Sequence, residues 1–167
     1  MKELDIEQVK KHIIEAPIGQ YIGEDGAQIL AEKACCELSL KDSEYLFRQG
    51  ELENSFYIVT QGRLGLVKER KKDKSPYVLH VLEQGDLVGE LSFIDDTPHA
   101  TSCMALGDAT VLRFKGEDIR PLITEEPILM FNFMRAVIKR VHHTISNIGQ
   151  QQLALSDYIS TGGKGRL

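Results

Sequence analysis

The sequence predicts a mainly β fold with helices at both ends, and three observations carry that prediction. Residues 36–114 hold short apolar, β-branched runs separated by glycine-containing turns. Residues before them show helical apolar spacing, and residues 127–159 carry a long heptad pattern. Short strands at such spacing read as an antiparallel sandwich or barrel. The 167 residues suit one domain with one main core and room for an extra helix. A hydrophobic share of 42% and a charged share of 27% are ordinary globular values, which excludes a disordered or fibrous chain. A net charge of −5 argues against a protein that works by coating nucleic acid or an anionic membrane.

The elements follow in order. Leu4, Ile6, Val9, Ile13 and Ile14 fall mostly on one helical face, which Pro17 ends. Residues 1–17 are therefore read as a helical N-terminal extension. A second short helix is expected after Gly23–Gly26, capped by Asp25 and burying Ile29 and Leu30. The strand runs are Tyr45–Phe47, Phe56–Val59, Leu64–Val67, Tyr77–Leu82 and Ala109–Leu112. Gln49-Gly50, Gln61-Gly62, Gln84-Gly85-Asp86 and Gly107-Asp108 supply turns between them. Pro121 and Pro127 bracket a short segment, and Pro127 suits the first turn of a long helix.

That helix places Phe131, Met134, Ile138, Val141, Ile145, Ile148, Leu155 and Ile159 at alternating spacings of three and four, with Gln152 filling one position. This is a coiled-coil seam, narrower than the stripe of a helix laid on a large core. A homodimer through Met134, Ile138, Val141, Ile145 and Ile148 is expected. The alternative is a helix lying on its own barrel. Residues 160–167 read as a disordered tail.

Residues 85–102 carry the chemistry. Gly85 and Gly89 flank a short strand, Glu90 follows, and Leu91–Ile94 forms a helical turn. The first amides of a helix lack intrahelical partners, so a helical turn behind a glycine forms an anion cradle. Asp95-Asp96-Thr97-Pro98 is turn chemistry, and His99-Ala100-Thr101-Ser102 enters the next strand with small residues that leave space and offer hydroxyls.

At these residues the chain resembles the cyclic-nucleotide-binding domain family. Gly85-Asp86-Leu87-Val88-Gly89-Glu90-Leu91, then Pro98-His99-Ala100-Thr101, looks like the family's phosphate-binding cassette. Leu46–Glu51 resembles its first barrel turn, and Asn54–Val59 followed by Gly62 its next strand and turn. The helix opened by Pro127 resembles its long C-helix, and the arrangement is that of bacterial regulators of the catabolite activator and fumarate-nitrate regulator type. The resemblance spans residues 18–159, including the C-helix 127–159. It implies a double-stranded β-helix, a jelly-roll-like β-roll, followed by a dimerisation helix.

It further implies a ligand site at Gly89, Glu90, Leu91, Ser92, His99, Ala100, Thr101 and Thr144. Glu90 stands where the family's acid accepts the ribose hydroxyl, and the amides at Leu91 and Ser92 stand where the cyclic phosphate lies. Ala100 and Thr101 would line phosphate or base, and Thr144 would meet the base from the C-helix. His99 departs from the family's Arg. Arg binds phosphate in a fork with a charge that never titrates, whereas a histidine of unperturbed pKa ~6.5 is only about one quarter cationic at neutral pH. The ligand, cAMP or cGMP, would bind weakly and better as pH falls. The other readings are a different ligand, or an empty site on a dimeric interaction scaffold.

Other signals have plainer readings. His80 stands alone in a strand, and His142-His143 are adjacent and not a metal-spaced pair. Cys35, Cys36 and Cys103 read as small strand residues, too few for a four-thiolate cluster. Glu69–Lys74 is read as a solvated hairpin tip. No nucleophile–base or metalloprotease motif is present, so the chain is not expected to be an enzyme. Neither a membrane span nor a signal-peptide core is seen, and a cytoplasmic location is expected. Only about eight residues follow Ile159, too few for a helix-turn-helix reader. The expectation is a regulatory sensor that does not bind DNA itself and acts through a protein partner.

Overall fold

A computed structural model describes residues 4–160, with the side chains of Asn147, Ile148 and Gln151 excepted. Helix α1 (Ile6–Glu15) begins at Asp5, whose carboxylate accepts from the Glu7 and Gln8 amides. Helix α2 spans Gly19–Glu32 and is kinked at Gly23. It starts four residues before that glycine and takes Ile18, not Asp25, as its N-cap. The backbone at Gly23 is non-helical (φ 66°, ψ −174°), so a second helical stretch does begin after it, but the Asp25 side chain makes no capping bond there among the described residues.

The strands are β1 (Ala34–Leu40), β2 (Tyr45–Phe47), β3 (Ser55–Gln61), β4 (Leu64–Glu69), β5 (Pro76–Leu82) and β6 (Leu87–Val88). Helix α3 (Glu90–Asp95) follows, then β7 (Ser102–Ala105) and β8 (Ala109–Lys115). Short helices α4 (Gly116–Ile119) and α5 (Leu122–Glu125) lead into α6 (Pro127–Ser160). Two four-stranded antiparallel sheets form, ordered β1-β8-β3-β6 and β2-β7-β4-β5. This is the β-roll with flanking helices that the sequence predicts.

Strand β3 explains its own uninterrupted apolar run, because both of its faces are buried. Tyr57 and Val59 point between the sheets with Leu64, Leu82, Val88 and Val111. Phe56 and Ile58 point the other way, with Leu112 and Phe114, into a second core shared with α1, α2, α3 and α6. Phe56 is the hub of that core. Its ring centroid lies 4.9 Å from Phe114, 5.4 Å from Phe93 on α3 and 5.2 Å from Phe133 on α6. The offset and tilted geometries are the favoured ones for aromatic pairs.

Helix α6 is apolar on two sides. Leu129, Met130, Phe133, Ala136 and Val137 are buried against the body. The heptad seam is mostly a different stripe: Ile138 is 61% exposed and Ile145 62%, with Phe131, Leu155 and Ile159 also exposed. Met134 and Val141 are half-buried against the core. The side chain of Ile148 and, apart from Ser160, the expected tail lie outside what is described.

Replacing Phe56 by Ala removes a fully buried ring and leaves a cavity. It is expected to cost about 3–5 kcal/mol in urea unfolding. The signals of α3 and α6 are expected to shift together in NMR spectra.

Candidate functional site

The site is built where β6 hands over to α3. Gly89 is left-handed, with φ 76°. A Cβ at that position would stand 3.3 Å from the Ser55 carbonyl and 3.4 Å from His99 Cε1. Glycine therefore allows both the turn and the close approach. It aims Glu90 and Ser92 inward, while Phe93 anchors α3 on Phe56 and Leu91 faces outward. At the far end of α3, Arg120 donates to the Asp96 carboxylate and to the Phe93 carbonyl, tying the loop to α4.

The returning segment is clamped as firmly. The His99 amide donates to the Glu51 carbonyl at 2.9 Å, and the Gly50 amide donates to the His99 carbonyl at 2.9 Å. The imidazole stacks on Phe47 at 3.7 Å, and its Nδ1 lies 2.9 Å from Ser92 Oγ. Its Nε2 is buried and meets no hydrogen-bonding partner among the described residues. Burial lowers the pKa of His99, against a smaller pull upward from the Glu53 and Glu51 carboxylates. At pH 7 the ring therefore carries less than the one-quarter cationic fraction of an unperturbed histidine. That corrects the pH window: any gain from protonating His99 comes at lower pH than the sequence suggests.

The residue that sequence reasoning missed is Arg140. Its Nη1 donates to Glu90 Oε1 at 3.0 Å, across the cavity from α6 to α3. Glu90 is 6% exposed. Burial raises its carboxyl pKa above the ordinary value, and Arg140 opposes this without cancelling it. No local motif marks Arg140. The available signal is its position one helical turn before Thr144 and off the heptad seam.

The cavity holds about 210 Å³. Gly89, Glu90, Leu91, Ser92, His99, Ala100 and Thr101 all line it, as the sequence places them. Phe47, Leu66, Leu82 and Leu87 supply apolar wall, and Arg140 closes one side. Thr144 is not brought to this lining; its hydroxyl donates to the Arg140 carbonyl at 3.0 Å within α6. His80 is exposed on β5. Cys103 is free and buried, its thiol pushed up to about 12, while Cys35 and Cys36 are free and half-buried. Among the described residues no group of three His, Cys, Asp or Glu is placed to hold a metal ion, and no helix is long and apolar enough to cross a membrane.

Comparison with known proteins points to one family. The profile described as "Cyclic nucleotide-binding domain" matches residues 37–126. The CRP-like cAMP-activated global transcriptional regulator of Mycobacterium tuberculosis is 25% identical over 122 residues, 73% of this chain and 51% of that protein. Lysophospholipase NTE1 of Chaetomium globosum is 26% identical over 110 residues, 66% of this chain and 7% of that protein. This chain therefore spans about half of one curated relative and a small part of the other. A crystal structure of a cyclic nucleotide-binding domain from Methylobacillus flagellatus superposes with a TM-score of 0.73 at 14% identity, covering 87% of this chain and 85% of that one. At that identity the likeness shows the fold alone.

Arg140→Ala leaves the Glu90 carboxylate buried without its cation. It is expected to cost about 1–3 kcal/mol in urea unfolding at pH 7, less than a fully buried pair because Arg140 is partly exposed. A raised folded-state pKa means that the ionised acid costs stability as pH rises and that the cost fades as pH falls. The defect is therefore expected to shrink near pH ~4, and Glu90→Gln in the same chain is expected to restore most of it at pH 7.

Proposed function

The chain belongs to the cyclic nucleotide-binding domain family, and from that premise we propose that it is a non-enzymatic sensor module whose ligand is coupled to α6. The observation that carries this reading is the Glu90–Arg140 pair, which joins the cassette helix directly to α6. In the family carry-over, Glu90 accepts a ribose hydroxyl and the first amides of α3 meet the cyclic phosphate. Ala100 and Thr101 line the phosphate or base. A cavity of about 210 Å³ is below the usual range of ~300–1,000 Å³ for ligand pockets, so binding requires the walls to part. Arg140 is the wall that α6 carries, and moving it moves the helix. The ligand then biases α6 only to the extent that it binds the two arrangements with different affinity.

His99 weakens this site. It offers one neutral nitrogen where the family's Arg offers a permanent charge, a loss of one or two bonds worth about 1.5–3 kcal/mol each. It also favours a second reading, a ligand-free scaffold. Its ring already fills the phosphate corner, stacked on Phe47 and bonded to Ser92. In either reading α6 carries the output. Its exposed seam, Ile138 and Ile145 continued by Leu155 and Ile159, pairs with the same seam of a second copy, while Met134 and Val141 are already half committed to the core. A protein partner receives the change in helix packing.

Titration calorimetry with cAMP and with cGMP separates the two readings. Weak, saturable heat in wild type, tightened about tenfold to several hundredfold by His99→Arg, is the sensor result. No heat in either protein with either nucleotide is the scaffold result. Separately, Ile138→Asp with Ile145→Asp is expected to give a monomer in sedimentation equilibrium, with the fold intact.

A further inference from the structure

A second cavity, of about 340 Å³, lies on the other side of Arg140. It is enclosed by the α1–α2 junction, the turn at Gly85-Asp86 and α6. We propose that this outer cavity is a second ligand site, for a compact organic anion with a ring-sized apolar body such as an aryl phosphate, and that it acts on the cassette through Arg140.

The walls are built rather than incidental. Gly85 has φ 90°, and a Cβ there would stand 3.1 Å from Pro17 Cδ and 3.2 Å from Ala16 Cα. Its amide donates to the Val59 carbonyl at 2.8 Å. The turn is thus seated on the junction and cannot close the cavity without breaking that seat. Ile18, Tyr21, Leu87 and Ala136 make the apolar surface. The volume is within the ~300–1,000 Å³ of ordinary ligand pockets, which the cassette cavity is not.

The charge is one-sided. Ala136, Lys139, Arg140 and His143 fall at i, i+3, i+4 and i+7, one face of α6, and Lys139 and Arg140 bring two cationic groups to that wall. Asp86 faces them, its carboxylate already accepting from the Glu83 amide at 2.8 Å. An anion must therefore seat on the α6 side, with its apolar body against Tyr21 and Leu87. Arg140 and Leu87 line both cavities. The guanidinium has five N–H donors, and the Glu90 bond uses one. An anion that draws the guanidinium toward the outer cavity weakens its bond to Glu90, and a cassette hydroxyl donating to Glu90 then replaces part of what that bond supplied. By reciprocity each ligand then favours the other. This coupling, unlike the outer site itself, rests on the sensor reading above.

The probe is 1-naphthyl phosphate, titrated into the full chain and followed by amide NMR. Saturable shifts centred on Tyr21, Gly85, Leu87 and Ala136 are expected. Lys139→Glu, at an exposed position outside the cassette, is expected to weaken them about tenfold, one charge contact's worth. Asp86→Asn is expected to strengthen them several-fold. Shifts centred on Gly89–Ser92, shifts centred on the exposed seam of α6, no saturable shift, or indifference to Lys139→Glu would each overturn the site. For the coupling, saturating naphthyl phosphate is expected to raise cAMP affinity several-fold in calorimetry. A cAMP affinity that binding of the probe leaves unchanged overturns the coupling alone, and a chain that takes naphthyl phosphate but gives no heat with cAMP contradicts the sensor reading instead.

Discussion

A carboxylate withdrawn from water must be answered by a cation or give up its charge, and in this protein Glu90 is answered by Arg140. The two residues lie 50 positions apart, on elements that share no strand pairing. Much of the rest of the molecule can be understood as holding them face to face. Gly89 turns the chain so that Glu90 points inward, and Phe93 pins α3 from beneath. The α6 side is fixed by Phe133, which meets the same Phe56 ring that holds Phe93. Cassette and helix are therefore joined twice, once through an apolar hub and once through an ion pair. The hub is fully dry and resists change. The ion pair borders a cavity and is the contact that a ligand can alter.

This division assigns different work to the two sides of α6. The buried stripe from Leu129 to Val137 makes the helix part of the domain. Val141 is the last residue of α6 packed against the core, and beyond it most of the described side chains are exposed along the continuing seam. Arg140 sits near that transition, where a shift in side-chain position can be passed along a helix that the core no longer holds. His99 sets the opposing tendency. Stacked on Phe47 and bonded to Ser92, it fixes the cassette wall as it stands.

The fold was largely legible in the sequence because its signals are local. Phe56–Val59 reads as a strand from its apolar run alone, and Pro127 marks the start of α6. The cassette residues were legible for the same reason: Gly89 to Thr101 is one continuous stretch, and its turn chemistry imposes its own geometry. What depends on distant packing was not legible. Asp25 has the chemistry of a cap, and helix does resume after the kink at Gly23, but whether its carboxylate reaches the first amides is set by the angle of that kink. The heptad spacing found the exposed stripe of α6 and overlooked the buried one, since Leu129, Met130 and Phe133 are core only once Phe56 and α2 are beside them. Thr144 was placed by analogy, and its hydroxyl is instead occupied within its own helix. Arg140 was missed because an arginine on a helix face is ordinary until a buried acid is found opposite.

Glu90 is a buried acid governed by Arg140, and titration of the Glu90 carboxyl reads that relation itself. Carbon-detected NMR of a glutamate-labelled protein would follow that one carboxyl through the acid range in wild type and in Arg140→Ala. Glu90 is predicted to titrate above the ordinary glutamate value of ~4.3 in wild type, and higher still once its cation is gone. A Glu90 that titrates at the ordinary value and does not move when Arg140 is removed would mean that Arg140 does not govern it.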